Sequence, residues 1–179
     1  ASKCSKEDFM EKKEDNDNKC ITPAATSDSH VYLETQGDFR MRELDNSDLE
    51  QFNALLTYAF QVTSYELLQT GWQQDEFISA KRPMLEKAYV LGWFYKDRLA
   101  SMIVVYSMKV NIHDNIMDMG GITGVATYPE YTGRGLIHSL MRRAINYIHA
   151  QEFPISFLYP SSIPFYRQMG WELVSAKIA

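Results

Sequence analysis

The sequence has few cysteines and no long apolar run. Its 179 residues include only Cys4 and Cys20, both near the start of the chain. A disulfide-stapled fold needs its cysteines within the folded part, so this class is excluded and a cytoplasmic location is expected. No apolar stretch approaches the roughly 20 residues that a membrane-spanning helix requires, so we expect no membrane partner.

An excess of basic residues is also lacking. The formal net charge is −5 and the pI is near 5.4, which argues against nucleic-acid binding. Residues 1–38 hold nine acidic and five basic side chains, so most of the net charge lies there. Large apolar side chains are scarce in the same stretch. We therefore predict a charged, flexible tail over 1–37 and one folded domain over 38–179.

Clustered metal ligands are the third absence. The four histidines, His30, His113, His138 and His149, are widely separated and have no cysteines or carboxylates grouped with them. Metal sites in proteins bring such ligands together at short, characteristic spacings. The sequence therefore predicts no metal site.

The apolar pattern over 38–179 alternates between strand and helix periods. It predicts the order β-α-α-β-β-β-α-β-α-β, which is an α+β mixed sheet covered by helices. The predicted elements are a strand at 39–44, helices at 45–60 and 72–87 (the second disturbed by Pro83), three antiparallel strands at 88–97, 99–110 and 116–128, a helix at 133–151, a strand at 154–160, a short helix at 161–170, and a strand from Trp171.

A glycine turn joins the third strand of this meander to the longest helix, in TGVATYPEYTGRGLIHSLMRR (123–143). Gly133 and Gly135 can adopt open backbone angles, and Arg134 places a cation between them. The amides at the helix N-terminus are unpaired and carry partial positive charge, so the turn can hold a diphosphate. An ordinary turn without a ligand is the alternative.

Two familiar nucleotide motifs do not fit this turn. A P-loop needs Lys followed by Ser or Thr, whereas Leu136 and Ile137 follow Gly135. The dinucleotide fingerprint needs a third glycine, and His138 stands in its place. A nucleotide-binding domain with affinity for ATP therefore conflicts with the spacing.

The run GVATYPEYTGRGL, the helix after it, PISFLYP and SSIPFYRQMGWEL together resemble the GNAT superfamily of acetyl-CoA-dependent N-acetyltransferases. The segment from about 121 to 172 is most similar to the N-terminal domain of the enhanced intracellular survival (Eis) family. The resemblance implies a GNAT-like, mostly antiparallel sheet flanked by helices. It also implies transfer of acetyl from acetyl-CoA to a primary amine, either of a small cationic acceptor such as an aminoglycoside or polyamine, or of a lysine.

The resemblance also implies roles for individual residues. Tyr166 would be the general acid that protonates the departing thiolate, and Ser161 would lie near the thiol. Thr132 replaces the Arg or Gln usual in the family and Ile137 replaces a small residue, and both changes weaken the expected affinity. The residues implied to bind acetyl-CoA are Val125 and Thr127 along the pantetheine arm, the turn residues Thr132, Gly133, Arg134, Gly135 and Leu136 at the diphosphate, and Ser161.

Two further sets of residues have two interpretations each. Asp118 is either a general base or a solvated carboxylate. Trp72, Asp75 and Glu76 either line an acceptor pocket or lie on a surface helix around one buried tryptophan.

Eis-like proteins are longer and oligomeric, with a second GNAT-like region and a C-terminal domain whose final carboxylate is the general base. We therefore expect a domain cut near the start of its last strand, without that base, and a homo-oligomer for the full-length form. The alternative is a non-catalytic module that binds acyl-CoA or a partner.

Overall fold

The computed structural model describes residues 31–61, 69 and 74–175. Six strands form one sheet. They are β1 (Glu34–Gln36), β2 (Phe39–Glu43), β3 (Tyr89–Tyr95), β4 (Arg98–Ile112), β5 (Asn115–Thr127) and β6 (Ile155–Leu158). The helices are α1 (Leu49–Ala59), α2 (Gln74–Ser79), α3 (Arg82–Lys87), α4 (Leu136–Ala150) and α5 (Ile163–Arg167), with 3-10 turns at Asn46–Asp48 and Pro129–Tyr131.

The strands lie in chain order across the sheet, and neighbours are antiparallel except for β5 and β6, which run parallel. This confirms the predicted α+β class and its mostly antiparallel sheet. The parallel pair is short. It extends only from Met119 opposite Ile155 to Ile122 opposite Leu158, so β5 continues for five residues beyond the end of β6.

Each face of the sheet carries its own hydrophobic core. On one face Leu136, Leu140 and Met141 of α4 pack with residues that include Trp93, and the indole Nε1 of Trp93 donates to Ser139 Oγ at 2.7 Å. On the other face α1 packs through Phe52 and Leu55. No helix among the described residues is long and apolar enough to span a bilayer.

The structure corrects three predicted elements. Strand β1 was not predicted, because its three residues are all exposed and carry no apolar alternation. The helix predicted over 72–87 is two short helices in its described part, and Pro83 lies in the first turn of the second.

The third correction concerns the last strand, which is not formed over residues 171–175. The amide of Trp171 donates to the carbonyl of Tyr166 at 3.1 Å, and the amide of Leu173 donates to Glu172 Oε1 at 2.8 Å. These donors are therefore occupied locally instead of in a strand ladder. Residues 176–179 lie outside the described residues, as do residues 1–30 of the predicted tail.

Candidate active site

A bulge reshapes β5 just before the site. Ala126 pairs with Met102 and Thr123 pairs with Val104, so Gly124 and Val125 together stand opposite Ile103. Gly124 has a φ of +57°, and a Cβ there would lie 2.8 Å from Val104 Cγ2. Only glycine tolerates both the positive φ and the lack of space for a Cβ. The additional residue that the bulge inserts into β5 changes the direction of the end of the strand.

The end of β5 has one unpaired edge. The amide of Tyr128 donates to the carbonyl of Ala100 on β4 at 3.0 Å. Because successive residues of a strand direct their backbone groups to opposite edges, the N–H and C=O of Thr127 are directed away from β4. That is the side on which β6 has already ended, and no strand of the described residues pairs there. The hydroxyl of Thr127 lies 2.7 Å from Ser101 Oγ.

The glycine turn follows directly. Gly133 has a φ of +73° and Gly135 a φ of +77°, and a Cβ on either would meet no atom within 4 Å. Within the described part of the chain, the amides of Gly133, Arg134, Gly135 and Leu136 donate to no partner. The turn thus holds four backbone donors without a partner among the described residues at the N-terminus of α4.

Thr132 differs from the other turn residues. Its amide and its hydroxyl both donate to the carbonyl of Pro129, at 3.2 and 2.8 Å. These two donors close the turn and are not available to a ligand. Ile137, the other departure from the family pattern, is partly buried and packs on the core beneath α4.

Two of the predicted site residues contact each other. Tyr166 is only 6% exposed and belongs to the same core as Leu136 and Ile122. Burial raises the pKa of its phenol, and a hydrogen bond from the side chain of Ser161 opposes that increase. The hydroxyl therefore stays protonated at neutral pH and has a fixed neighbour.

Helix α5 also contacts the start of α4. The ring of Phe165 lies 5.2 Å from that of Tyr166 and 5.5 Å from the imidazole of His138, edge-on in both cases. These contacts hold Tyr166 near the glycine turn, although α5 comes about 30 residues later in the chain. Neither Phe165 nor His138 was predicted to have a role here.

Two open depressions flank the turn. One, of about 460 Å³, lies between the end of α1 and the end of β5, and combines Tyr58 and Gln61 with Val125, Thr127 and Thr132. The other, of about 630 Å³, lies beside the β1–β2 hairpin and includes Phe39, Tyr95, Tyr131 and Arg134. The first therefore brings together three of the predicted cofactor-binding residues.

The remaining candidates lie elsewhere or outside the described residues. Asp118 is exposed and forms an ion pair with Lys109 at 2.8 Å. It is nine residues from Thr127 along β5, about 30 Å at the rise of an extended strand, which favours a solvated carboxylate. Trp72 and the side chain of Asp75 lie outside the described residues. Where the structure is described, no group of three or more His, Cys, Asp and Glu residues could hold a metal ion.

The fold and the turn together define an acetyltransferase-type domain, in which β5 runs on past the end of β6 and leads to amides without a partner among the described residues. The chain belongs to the acetyltransferase (GNAT) domain family, whose model matches residues 40–174. No curated protein matches the chain.

Several solved structures share the fold. A conserved protein of unknown function from Enterococcus faecalis V583, named "Probable N-Acyltransferase", is 28% identical over 75% of this chain and 32% of its own length, with a TM-score of 0.66. A GCN5-related N-acetyltransferase from Kribbella flavida is 22% identical over 74% of this chain and 32% of its own, with a TM-score of 0.62. This chain thus spans about a third of either protein.

A "predicted acetyltransferase" from Clostridium acetobutylicum, solved with acetyl-CoA, is 14% identical over 79% of this chain and 94% of its own, with a TM-score of 0.62. At that identity the likeness establishes the fold alone.

Proposed function

We propose that this chain is an Eis-like N-acetyltransferase domain. It moves acetyl from acetyl-CoA to a primary amine, either of a small cationic acceptor such as an aminoglycoside or polyamine, or of a lysine. The observation that carries the proposal is the unpaired edge of β5, which leads directly into a turn with four unpartnered amides. Membership of the GNAT family supports it.

The turn is suited to the coenzyme A diphosphate. The amides of Gly133, Arg134, Gly135 and Leu136 would donate to its oxygens, and the absent side chains of the two glycines leave space for close approach. The dipole of α4 and the charge of Arg134 add to the attraction. Thr132 lines the turn, but its two donors are occupied by Pro129.

The end of β5 would hold the pantetheine arm and the reacting carbonyl. Val125 and Thr127 lie along the unpaired edge, and the N–H of Thr127 is directed into it. A donor there stabilises the negative charge that develops on the thioester oxygen when an amine attacks. In that attack a C–N bond forms and the C–S bond breaks.

Tyr166 would complete the transfer by giving its phenolic proton to the departing sulfur. Ser161, which lowers the pKa of the same phenol through a side-chain hydrogen bond, would stabilise the phenolate that remains. The acceptor attacks as the neutral amine after losing a proton to water, its nitrogen gives a second proton to water when the amide forms, and water returns one proton to the Tyr166 phenolate.

The acceptor would approach through the depression of about 460 Å³ between α1 and β5. Helix α1 ends at this depression, and the C-terminus of a helix carries partial negative charge. The ring of Tyr58, which is 51% exposed, adds an aromatic face. Both features attract a cationic amine.

We further propose that the domain works in the cytoplasm within a longer, homo-oligomeric protein. The lengths of the Enterococcus and Kribbella structures support the longer protein, because this chain covers only 32% of each. Residues 1–37 would form a tail whose last part enters the sheet as β1.

Calorimetry with acetyl-CoA, beside ATP as the control ligand, tests the donor. Release of free thiol with spermidine, an aminoglycoside and a lysine peptide tests the transfer. Acetyl-CoA binding with amine-dependent thiol release is expected, whereas binding without release for any amine would favour the non-catalytic acyl-CoA module. No binding at millimolar acetyl-CoA would reject the proposed donor.

A further inference from the structure

An aromatic ring on β2, that of Phe39, packs against residues of the glycine turn and of the 3-10 turn before it. Phe39 is 8% exposed, and its ring lies 5.1 Å from that of Tyr95 and 5.7 Å, edge-on, from that of Tyr131. The guanidinium carbon of Arg134 lies 5.6 Å from the centre of the same ring. Phe39 therefore contacts a residue on each side of Thr132 and Gly133.

The strand next to β2 adds a second contact. Gln36 pairs with Phe39 across the β1–β2 hairpin, and its side-chain Nε2 donates to the carbonyl of Arg134 at 3.4 Å. The hairpin thus contacts both the backbone and the side chain of Arg134. The ring contacts of Phe39 and the hydrogen bond of Gln36 are made to Tyr131 and Arg134 of the turn and to Tyr95, and the proposed acyl-transfer residue Tyr166 has its ring contact with Phe165 instead.

The turn needs such support because its own sequence restrains it weakly. Gly133 and Gly135 lie on either side of Arg134, and glycine loses more conformational freedom on ordering than any other residue. A ligand that had to order the turn on binding would lose affinity for that reason. Contacts that hold the turn before binding remove this cost.

We infer that Phe39, assisted by Gln36, is a positioning residue for the diphosphate-binding turn. This inference rests on the proposed function. Neither side chain belongs to the residues proposed to bind acetyl-CoA. Each acts through Tyr131 or Arg134 to keep the four free amides in their arrangement, and so each governs affinity for the diphosphate and not the transfer of acetyl.

The test compares a donor that has the diphosphate with one that lacks it. Acetyl-CoA binding is measured by calorimetry, and binding of S-acetylpantetheine is measured by NMR titration. The variants are Phe39→Leu, which removes the ring, and Gln36→Ala, which changes an exposed residue and leaves the core intact. Phe94→Leu is the matched control, because Phe94 is buried at the same end of the sheet but packs in the core beneath α1.

Acetyl-CoA should bind roughly five- to tenfold more weakly to Phe39→Leu and about twofold more weakly to Gln36→Ala, as expected from ordering one or two side chains. S-Acetylpantetheine should bind all variants equally, and Phe94→Leu should bind acetyl-CoA as the wild type does. Unchanged acetyl-CoA affinity in both hairpin variants, or equal losses of affinity for both donors, would overturn this inference and would leave the proposed function standing. A wild-type protein that binds neither donor would overturn the proposed function together with it.

Discussion

Tyr166 illustrates how the fold controls the proton of a single side chain. Its burial raises the phenol pKa more than the hydrogen bond from Ser161 lowers it. An ordinary thiol has a pKa near 8.5, so proton transfer from a phenol with a raised pKa would be unfavourable in water. Burial beside Tyr166 would raise the pKa of a departing thiol as well, which would bring the pKa values of the phenol and the thiol closer together.

Replacing Tyr166 by Phe removes the proposed proton donor. We expect kcat to fall by about 10²- to 10⁴-fold, the usual contribution of a general acid, with little change in acetyl-CoA affinity. Thiol release and calorimetry measure the two quantities. Tyr159→Phe is the control, since Tyr159 is 90% exposed. A Tyr166→Phe enzyme with at least half of the wild-type kcat would exclude the role.

Tyr89 makes the stability of the protein sensitive to alkaline pH. Burial, followed by the charge of Glu43, raises the pKa of Tyr89 to about 12, and its ring stacks 4.0 Å from that of Tyr147. The unfolded chain has the ordinary pKa near 10, so the folded state holds the proton more tightly. The contribution is therefore full below pH 10 and is lost as the pH rises towards 12.

Urea unfolding between pH 8 and 12 checks this dependence. The free energy of unfolding of the wild type should fall through this group by clearly less than the roughly 3 kcal/mol that the full shift corresponds to, because solvent screens a half-buried phenol, and Tyr89→Phe should show a shallower decline. The exposed Tyr159→Phe variant should decline as the wild type does. Parallel curves for Tyr89→Phe and wild type would contradict the prediction.

At the scale of elements, the proposed site lies where β6 and then β5 end and α4 begins. Strand β6 ends at Leu158, so within the described part of the chain the last five residues of β5 have one unpaired edge. The bulge at Gly124 and Val125 then redirects the strand, and Gly135 begins α4 in a left-handed conformation. Each boundary leaves backbone donors unpaired, and together they form the site.

Gly135→Ala tests the turn as an element. A φ of +77° costs an alanine about 1–2 kcal/mol, and its methyl group would project into the space proposed for the diphosphate. We therefore expect lower stability, measured by urea unfolding, and weaker acetyl-CoA binding, measured by calorimetry.

Gly170→Ala provides the control for backbone strain. Gly170 has a φ of +96° and equally open space around its Cβ position, but it lies after α5. This variant should lose stability and keep its acetyl-CoA affinity. If both variants lose affinity to the same extent, strain alone explains the effect of Gly135→Ala.

The elements also show why prediction succeeded in some places and failed in others. The three meander strands and α4 have strong apolar periodicity, and all were predicted. Strand β1 has three exposed polar residues and only its hairpin partner to define it. The strand predicted from Trp171 is not formed over 171–175, where a carbonyl accepts from the amide of Trp171 and a side chain from that of Leu173, which no alternation pattern reports.

At the scale of the whole molecule, the proposed site lies where the two cores meet the end of one strand. Val125 packs on the core beneath α4, and the next residue, Ala126, packs on the core beneath α1. A ligand bound there would contact elements from both faces of the sheet. Binding should therefore stabilise the folded domain as one unit.

Acetyl-CoA at one hundred times its Kd should add about 2.7 kcal/mol to the free energy of unfolding. For a domain of this size that corresponds to a rise in Tm of roughly 5–10 °C. Thermal unfolding with and without ligand measures the shift. ATP at the same concentration should produce none, and an equal shift with ATP would favour the nucleotide-binding alternative.

The sequence by itself determined the class of sheet, the antiparallel meander and the glycine turn with its neighbouring helix. These features are local, because strand and helix periods and the special backbone angles of glycine are encoded within a few adjacent residues. Only the tertiary structure decided that β6 stops short of β5, that Phe165 contacts both Tyr166 and His138, and that the hairpin contacts Arg134 in the turn. The last contact joins residues 98 positions apart. A local pattern shows which side of a helix or strand is buried. Which distant residues pack against that side depends on the tertiary structure of the whole chain.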